Sequence, residues 1–318
     1  MKNKITAGVM AFLLLFLCGC TAADFAPKKN GRLSIICSIF APYDFARKVA
    51  GDRADVKMLL PTGVESHSYE PTPRDIIELE NADIFFYVSE HTETWVTQIT
   101  SAVENKKVKK IEIADELGIT VNDHDHDHDH GHEDTHEDEH ESGEMDEHIW
   151  TNLETAVQMI GCISAEMGKA DPENAEYYTI NAKEYSDEIL RLRDDINELV
   201  KSSKRKEIIS GSRFAMKNFT NEFGLKFTAA FDSCVDNTEP SATVMAEIID
   251  KIKEDRLPVI FFEELTEPKI ARAVAAETGV KMLLLHSCHN VSSDEMDRGE
   301  TYLSLMRQNY QNLKEALN

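Results

Sequence analysis

Basic residues are scarce in this chain. Lys and Arg number 34 against 58 Asp and Glu, and the formal net charge is −24 at pH 7. Proteins that bind nucleic acid present a basic patch or stripe to the phosphate backbone. We find no such basic patch in this chain and therefore exclude nucleic acid as a partner.

An apolar run long enough to cross a membrane is also missing. The run near the N terminus, from Ile5 to Leu17, is shorter than the ~20 residues that a spanning helix needs. Lys2 and Lys4 precede it, and a basic start followed by a short apolar core is typical of a signal peptide. We therefore predict a signal peptide at residues 1–19.

The end of that segment reads Leu17-Cys18-Gly19-Cys20 and resembles the processing box of bacterial lipoproteins. In such a box a small residue precedes the Cys that becomes the lipidated first residue of the mature chain, here Cys20. The polar residues 20–31 would form a tether, and the lipid would hold the protein at the extracytoplasmic face of the cell membrane. A plain secretion signal, in which Cys20 is incidental, is the alternative.

Cysteine is infrequent, with six residues in the chain. Two belong to the processing box, and the others are Cys37, Cys162, Cys234 and Cys288. Secreted chains allow disulfides, but the spacing of four cysteines does not identify pairs. A bridge between Cys234 and Cys288, buried thiols and metal ligation therefore all stay open.

Residues 122–147 form a His-rich loop with no Lys or Arg and almost no apolar residue. Such a segment cannot bury enough surface to offset the entropy of ordering, so we expect disorder. An inert solubilising loop would need only Asp and Glu, whereas imidazole is the commonest protein ligand for zinc. We expect the loop to collect divalent metal through His124, His126, His128, His130, His132, His136 and His140.

The same loop contains the H-E-x-x-H string of zinc peptidases twice, at residues 132–136 and 136–140. In those enzymes the two histidines bind zinc from one face of a helix, and the Glu acts as base. No apolar residue is present here to bury such a helix. Since we also find no Ser/His/Asp arrangement, we predict that the chain is not an enzyme.

Strand and helix patterns alternate from residue 32 to residue 170. Short apolar runs indicate strands at residues 33–38, 56–60, 84–88 and 108–113. Amphipathic segments separate them, and one begins at Thr72, which can cap a helix that has Pro73 in its first position. This alternation is typical of a parallel sheet covered by helices on both faces. Residues 32–170 are our predicted N-terminal lobe.

A long helix is predicted after Asp171 and Pro172. Its apolar residues recur at spacings of 4 and 3 and form one stripe at Tyr178, Ala182, Tyr185, Ile189, Leu192, Ile196 and Leu199. About thirty residues at roughly 1.5 Å each give ~45 Å, which suits a linker between two lobes. We assign residues 171–203 to this linker.

Strand and helix alternation resumes in residues 204–318, our predicted C-terminal lobe. Its strands are expected at residues 207–210, 226–230, 258–263 and 280–285. The predicted fold class is therefore α/β, with two parallel-sheet lobes joined by one long helix. Because α/β sheets bind ligands at the carboxyl ends of their strands, we expect the binding site in the cleft between the lobes.

Two phrases at that expected cleft carry histidines. His67 follows a predicted strand within Gly63-Val64-Glu65-Ser66-His67-Ser68-Tyr69-Glu70-Pro71-Thr72-Pro73, and His148 follows the His-rich loop within Asp146-Glu147-His148-Ile149-Trp150. In both phrases the chain resembles the metal-binding lipoproteins of zinc and manganese ABC importers, the cluster A-I (cluster 9, ZnuA/TroA-like) solute-binding proteins. The signal box, the acidic histidine loop, the long helix and the two lobes extend the resemblance over the mature chain. It implies that His67 and His148 bind metal and that His91 is structural.

The second lobe departs from the family pattern. The family's third histidine is replaced by Arg213, which cannot ligate a metal and is expected to pair with a carboxylate near the site. The family's acidic last ligand is replaced within Leu285-His286-Ser287-Cys288-His289. We choose His286 as the third ligand. The reserve candidates are Cys288, His289, Cys234, Glu239, Glu263 and Glu264.

The ligand types indicate the metal. Three imidazoles with a further N, O or S donor suit Zn²⁺, whereas Mn²⁺ sites favour carboxylates. The resemblance implies capture of zinc and delivery to the permease and ATPase of an ABC importer, and we expect a monomer with only a small closing movement. The alternatives are an importer component for Mn²⁺ or another divalent metal, and a surface zinc store or adhesin that needs no defined cleft.

Overall fold

The computed structural model describes residues 31–121, 144–231 and 241–318. The predicted signal peptide, Cys20 and most of the tether lie outside these ranges, as do the seven histidines of the His-rich loop. The reserve ligands Cys234 and Glu239 also lie outside them. What we expect of these residues stays a prediction.

Four parallel strands form the sheet of the N-terminal lobe. They are β1 (Leu33–Cys37), β2 (Ala54–Met58), β3 (Ile84–Tyr87) and β4 (Lys109–Glu112), in the order β2-β1-β3-β4. The helices are α1 (Phe40–Ala50), α2 (Pro73–Glu80), α3 (Thr94–Ala102) and the short α4 (Ile113–Glu116). Every residue of β3 is buried, as expected for a central strand with helices on both faces.

Local signals set the ends of these helices. The backbone N–H of Thr72 donates to Oδ2 of Asp75 at 2.7 Å, which holds the first turn of α2 closed. Helix α1 stops at Gly51, whose φ of 52° and ψ of −119° are strained for a residue with a Cβ. The sequence predicts the start of α2, and the glycine at position 51 suits the end of α1.

The long linking helix follows the His-rich loop. Two small strands pair in parallel, β5 (Thr120–Val121) just before that loop and β6 (Glu144–Met145) within its predicted C-terminal end. The chain then forms α5 (Leu153–Ala170), a 3-10 turn (Pro172–Asn174) and α6 (Ala175–Ser202). All seven residues of the predicted stripe are buried. At about 1.5 Å per residue, the 28 residues of α6 extend ~42 Å.

A second sheet of four parallel strands forms the C-terminal lobe. Its strands are β7 (Glu207–Ser210), β8 (Lys226–Ala229), β9 (Val259–Phe262) and β10 (Lys281–Leu284), in the order β10-β9-β7-β8. Its helices are α7 (Lys217–Phe223), α8 (Ala242–Asp255), α9 (Lys269–Thr278), α10 (Ser293–Asp297) and α11 (Tyr302–Leu317). All eight strands of the two sheets lie within two residues of their predicted positions.

One continuous hydrophobic core joins the two lobes. It contains Phe85 of the first sheet, Ile189 of α6, and Phe219 and Tyr302 of the second lobe. A smaller cluster under α8 and α9 belongs to the second lobe alone. A wide hinge movement would break the shared core and expose its apolar surface to water. The fold therefore favours small movements of the lobes.

A buried carboxylate adds polar ties between these elements. Asp44 of α1 is fully buried and accepts hydrogen bonds from Arg47 Nε at 2.8 Å and from Tyr185 Oη at 2.6 Å. It also accepts the backbone N–H of Tyr302 at 3.0 Å. Asp44 thus connects α1, the linking helix and the first turn of α11.

The two-lobed α/β prediction is confirmed, whereas the residue boundaries that we set for the lobes and linker stay a prediction. Within the described ranges no helix combines the length and apolarity needed to cross a membrane. Cys37, Cys162 and Cys288 carry free thiols. Cys234 lies outside the described residues, so the bridge that we considered between it and Cys288 is not tested by the structure.

Candidate metal centre

His67 lies on the connection that follows β2, at the carboxyl end of the first sheet. It is the middle residue of a 3-10 turn, Ser66–Ser68. The Glu65 side chain caps this turn by accepting the backbone N–H of Ser68 at 3.1 Å. The half-buried imidazole is thereby presented to the cleft from a fixed turn.

His148 immediately precedes a 3-10 turn and is only 1% exposed. Its Nδ1 lies 2.8 Å from Oδ1 of Asp146, which also accepts the His148 backbone N–H at 3.1 Å. Asn218 of the second lobe holds Asp146 in turn, because its Nδ2 donates to the Asp146 carbonyl at 2.8 Å. With Nδ1 engaged as a donor, Nε2 carries the lone pair that a metal can use.

His289 follows the last strand of the second sheet. Its ring packs against that of Trp150, with 5.1 Å between the centroids. Trp150 Nε1 donates to the carbonyl of Ser287 at 2.8 Å and so holds the same loop. The buried Nε2 of His289 has no hydrogen-bond partner among the residues that the structure describes. An unpaired buried nitrogen is costly unless it meets a ligand.

The structure brings these three imidazoles together. One ligating nitrogen from each of His67, His148 and His289 lies within 4.8 Å of the other two. Nitrogens bound to a tetrahedral zinc at about 2.0–2.1 Å are themselves roughly 3.4 Å apart. A contraction of at most about 1.4 Å would therefore convert this group, which we call the histidine trio, into a zinc site.

The electrostatics keep two members of the trio, His67 and His289, in the neutral form that binds metal. Burial lowers the pKa of His67 to about 4, and the charges of His148 and Arg213 act in the same direction. Burial, with His67 and His148 nearby, also holds the pKa of His289 well below its ordinary value. Neutral imidazole is the ligating form, so His67 and His289 need not lose a proton to bind metal at neutral pH.

His286, our chosen third ligand, is not part of the trio. Its ring is fully buried, and its Nδ1 accepts the backbone N–H of Cys288 at 2.9 Å. Its Nε2 lies 3.8 Å from Oε1 of Glu295. Burial alone lowers the pKa of His286, but the carboxylates of Glu264 and Glu295 raise it. His286 thus lies apart from the trio and supports the turn that presents His289, and our choice of it as a ligand stays a prediction.

The reserve ligands occupy different places. The thiol of Cys288 is fully buried, and burial with nearby carboxylates raises its pKa well above the ordinary value. Glu264 accepts the backbone N–H of Ser287 at 2.9 Å and also its hydroxyl group. His91 is exposed and lies outside the trio. Of the reserves that lie within the described ranges, His289 is the one that joins His67 and His148.

Arg213 and Glu263 share the cavity of the trio. This cavity has a volume of about 40 Å³ and is lined by both residues together with the three histidines. Arg213 Nε donates to Oε1 of Glu263 at 3.2 Å, as the sequence led us to expect of this arginine. Burial raises the pKa of Glu263 to about 7, against the opposing charge of Arg213.

Contacts across the cleft position the trio and could not be read from the sequence. Asn290 Nδ2 donates to the carbonyls of Pro61 and Val64, each at 2.8 Å. The backbone N–H of Phe40 donates to the His289 carbonyl at 3.1 Å. The Asn290 bonds hold the loop after β10 against the loop that leads to His67, and the Phe40 bond ties it to the start of α1. An asparagine a few residues past a strand end gives no signal of such a role.

The family described as zinc-uptake complex component A, periplasmic (ZnuA), matches residues 35–316 of this chain. The high-affinity zinc uptake system protein ZnuA of Bacillus subtilis is 34% identical over 307 residues, which cover 96% of this chain and 94% of that protein. The zinc-binding lipoprotein AdcA of Streptococcus pneumoniae is 29% identical over 320 residues, which cover 99% of this chain. The chain spans 61% of the length of AdcA.

Solved structures of metal-binding proteins are also similar to this chain. The Zn(II)-bound ZnuA-like domain of AdcA from Streptococcus pneumoniae has a TM-score of 0.73 at 27% identity, covering 90% of this chain and 99% of that one. The laminin-binding protein Lmb of Streptococcus agalactiae, described as having adhesin and metal-transporting activity, has a TM-score of 0.73 at 27% identity. That match covers 90% of this chain and 100% of Lmb.

Proposed function

This chain belongs to the ZnuA family of zinc-uptake proteins, and we propose that it captures Zn²⁺ outside the cytoplasm and delivers it to an ABC importer. The observation that carries the proposal is the meeting of His67, His148 and His289 within 4.8 Å. Two of these residues come from the first lobe and one from the second, so the ion would lie in the cleft between the sheets.

The chemistry of the trio supports zinc as the cargo. Three neutral imidazoles and one further donor fill a tetrahedral zinc shell, whereas Mn²⁺ prefers more oxygen ligands. The Asp146 carboxylate on the far nitrogen of His148 orients the ring and makes it a better ligand. The function is binding and release without bond chemistry, and we propose that the protein is not an enzyme.

The predicted signal peptide and the His-rich loop indicate where the protein would work and how zinc would reach the cleft. A lipid on Cys20 would hold the protein on the extracytoplasmic face of the membrane, beside the permease and ATPase of the importer. The His-rich loop would collect zinc weakly and raise its concentration next to the cleft. We propose that the protein works as a monomer, with a small movement of the lobes on binding.

Zinc titration of single histidine variants tests this proposal. Alanine at His67, His148 or His289 should weaken the tight site by more than the roughly 10–100-fold typical of changes around a ligand. Alanine at the exposed His91 is the matched control and should leave the affinity unchanged. Tight binding that survives all three trio substitutions would contradict the proposed site.

Deletion of residues 123–143 separates the cleft from the loop. The deleted protein should keep one tight zinc site while binding less zinc in total. Loss of the tight site on deletion would contradict this division of roles.

A surface adhesin is a second candidate, favoured by the similarity to Lmb. A zinc store or adhesin would work through several weak ions and needs no ordered trio. One tight ion per chain, together with several weak ones, supports the importer component.

A further inference from the structure

Arg213 lines the cleft that contains the histidine trio. It lies on the loop after β7 in the second lobe, and its side chain is 17% exposed. Its Nη2 lies 4.0 Å from Oε1 of Glu65, which caps the turn that carries His67. Its Nε donates to Glu263 of its own lobe at 3.2 Å. One guanidinium thus faces a carboxylate on each side of the cleft.

The two adjacent glutamates after β9 have different partners. Glu264 is held by the backbone N–H and the hydroxyl group of Ser287, and this keeps it on the turn beneath His289. Both glutamates line the cavity of the trio, but the Glu263 side chain is held by Arg213 and not by the turn. Glu263 is therefore the carboxylate of this pair that can reach a metal without dismantling the turn.

A zinc ion in the trio would change the charge balance around Glu263. The trio supplies three ligands, and a tetrahedral zinc requires a fourth. A dication also repels a guanidinium that lines the same small cavity, and the repulsion is strong where water is excluded. Zn²⁺ and Arg213 therefore both attract the Glu263 carboxylate, and Arg213 also lies 4.0 Å from Glu65, which lines the same cavity.

We propose that Arg213 and the bound metal compete for Glu263. Glu263 serves as the fourth ligand of the ion, and Arg213 promotes release of the ion by drawing Glu263 away from it. This inference rests on the proposed function, since it needs the metal in the histidine trio. When zinc binds, Arg213 shifts its ion pair towards Glu65, and Glu263 turns to the metal. Arg213 thereby limits the affinity of the site so that the cargo can be handed over.

Zinc affinity in a double-mutant cycle on the full chain tests this competition. Arg213→Gln should bind zinc about tenfold or more tightly and release it more slowly, because Glu263 is no longer held away. Glu263→Gln should bind zinc more weakly, because the fourth ligand is lost. In the double variant the gain from Arg213→Gln should disappear, which is the sign of a shared partner.

Arg272→Gln is the matched control, because Arg272 forms an exposed ion pair with Glu267 at 2.6 Å in the same lobe. It should leave zinc affinity unchanged, and urea unfolding of each variant reports whether it folds. Unchanged or weaker binding in folded Arg213→Gln overturns the inference. So does a gain that persists in the double variant, because it would reflect charge repulsion alone.

The two proposals fail in different ways. If the trio variants lose tight binding while the Arg213 cycle is additive, only the competition is refuted. If alanine at His67, His148 and His289 leaves tight binding intact, the proposed site itself is refuted. Should Arg213→Gln not fold, Glu263→Gln alone decides, because unchanged affinity excludes Glu263 as a ligand.

Discussion

Nδ1 of His148 lies 2.8 Å from Oδ1 of Asp146, in a pair that is almost completely buried. The interaction with His148 holds the pKa of Asp146 below its ordinary value, although burial alone would raise it. The carboxylate is therefore ionised at neutral pH and fixes which nitrogen of the ring faces the cleft. A metal bound at the other nitrogen would gain from this orientation.

Replacing Asp146 with Asn should weaken zinc binding by about 10–100-fold while the protein stays folded. The amide can keep a hydrogen bond to the ring but cannot stabilise the charge that the imidazole gains from the metal. Competition with a chelator of known affinity measures the change. Asp294→Asn, on α10, is the control; equal affinities of the two variants would contradict a role for Asp146.

Removal of the Asn290 side chain should weaken both folding and zinc binding. Asn290→Ala leaves the carbonyls of Pro61 and Val64 without their donor, at a cost of about 1–3 kcal/mol in the free energy of unfolding. Because these bonds cross the cleft, the loops of His67 and His289 should also separate more easily.

Asn312→Ala is the matched control for that change. Asn312 Nδ2 donates to the Leu284 carbonyl at 2.7 Å within the second lobe. Its loss should lower stability to a similar degree and leave zinc affinity unchanged. If both variants lose affinity equally, the effect comes from general destabilisation and not from the contact across the cleft.

Glu93 should make the stability of the metal-free protein depend on pH. This carboxyl is fully buried, and burial raises its pKa to about 8, although the backbone N–H of Val88 donates to it at 2.8 Å. A group whose folded pKa is raised stabilises the fold fully below its unfolded pKa, near 4.5. That contribution is lost as the pH rises to about 8.

Glu93→Gln stays neutral at every pH. Between pH 5 and pH 9 its free energy of unfolding should therefore rise relative to that of the wild type, by about 1.4 kcal/mol per unit of pKa shift. Urea unfolding with chelator present, repeated across this pH range, measures the difference. Glu90→Gln, at an exposed position three residues earlier, should show no such trend. Parallel stability curves for wild type and Glu93→Gln would contradict a buried neutral carboxyl.

The fold could be predicted because its signals are local and repeated. The run at Ile84–Tyr87 is apolar at every position because both faces of that strand are covered. The stripe from Tyr178 to Leu199 follows the helical period because one side of α6 faces the shared core. The ends of α1 and α2 follow from the backbone preferences of Gly51 and Pro73.

The second-lobe side of the site could not be predicted in the same way. Cys288 adopts a φ of 61°, which is unusual for a residue with a side chain. This reversal separates the directions of His286 and His289: the first points into the core and the second joins the trio. Counting residues from the end of the strand cannot reveal this change of backbone direction at Cys288. His67 and His148 each stand in a distinctive sequence motif, so the sequence selects them more readily, and their role as ligands stays a prediction.

The central claim is that His67, His148 and His289 hold the transported ion. A crystal structure of the zinc-loaded protein, with anomalous diffraction measured at the zinc edge, tests it most directly. We predict one strong peak in the cleft, about 2.0–2.1 Å from one nitrogen of each of the three rings. A peak bound instead by His286 or Cys288, or an empty cleft in protein that carries one tight zinc, would contradict the account.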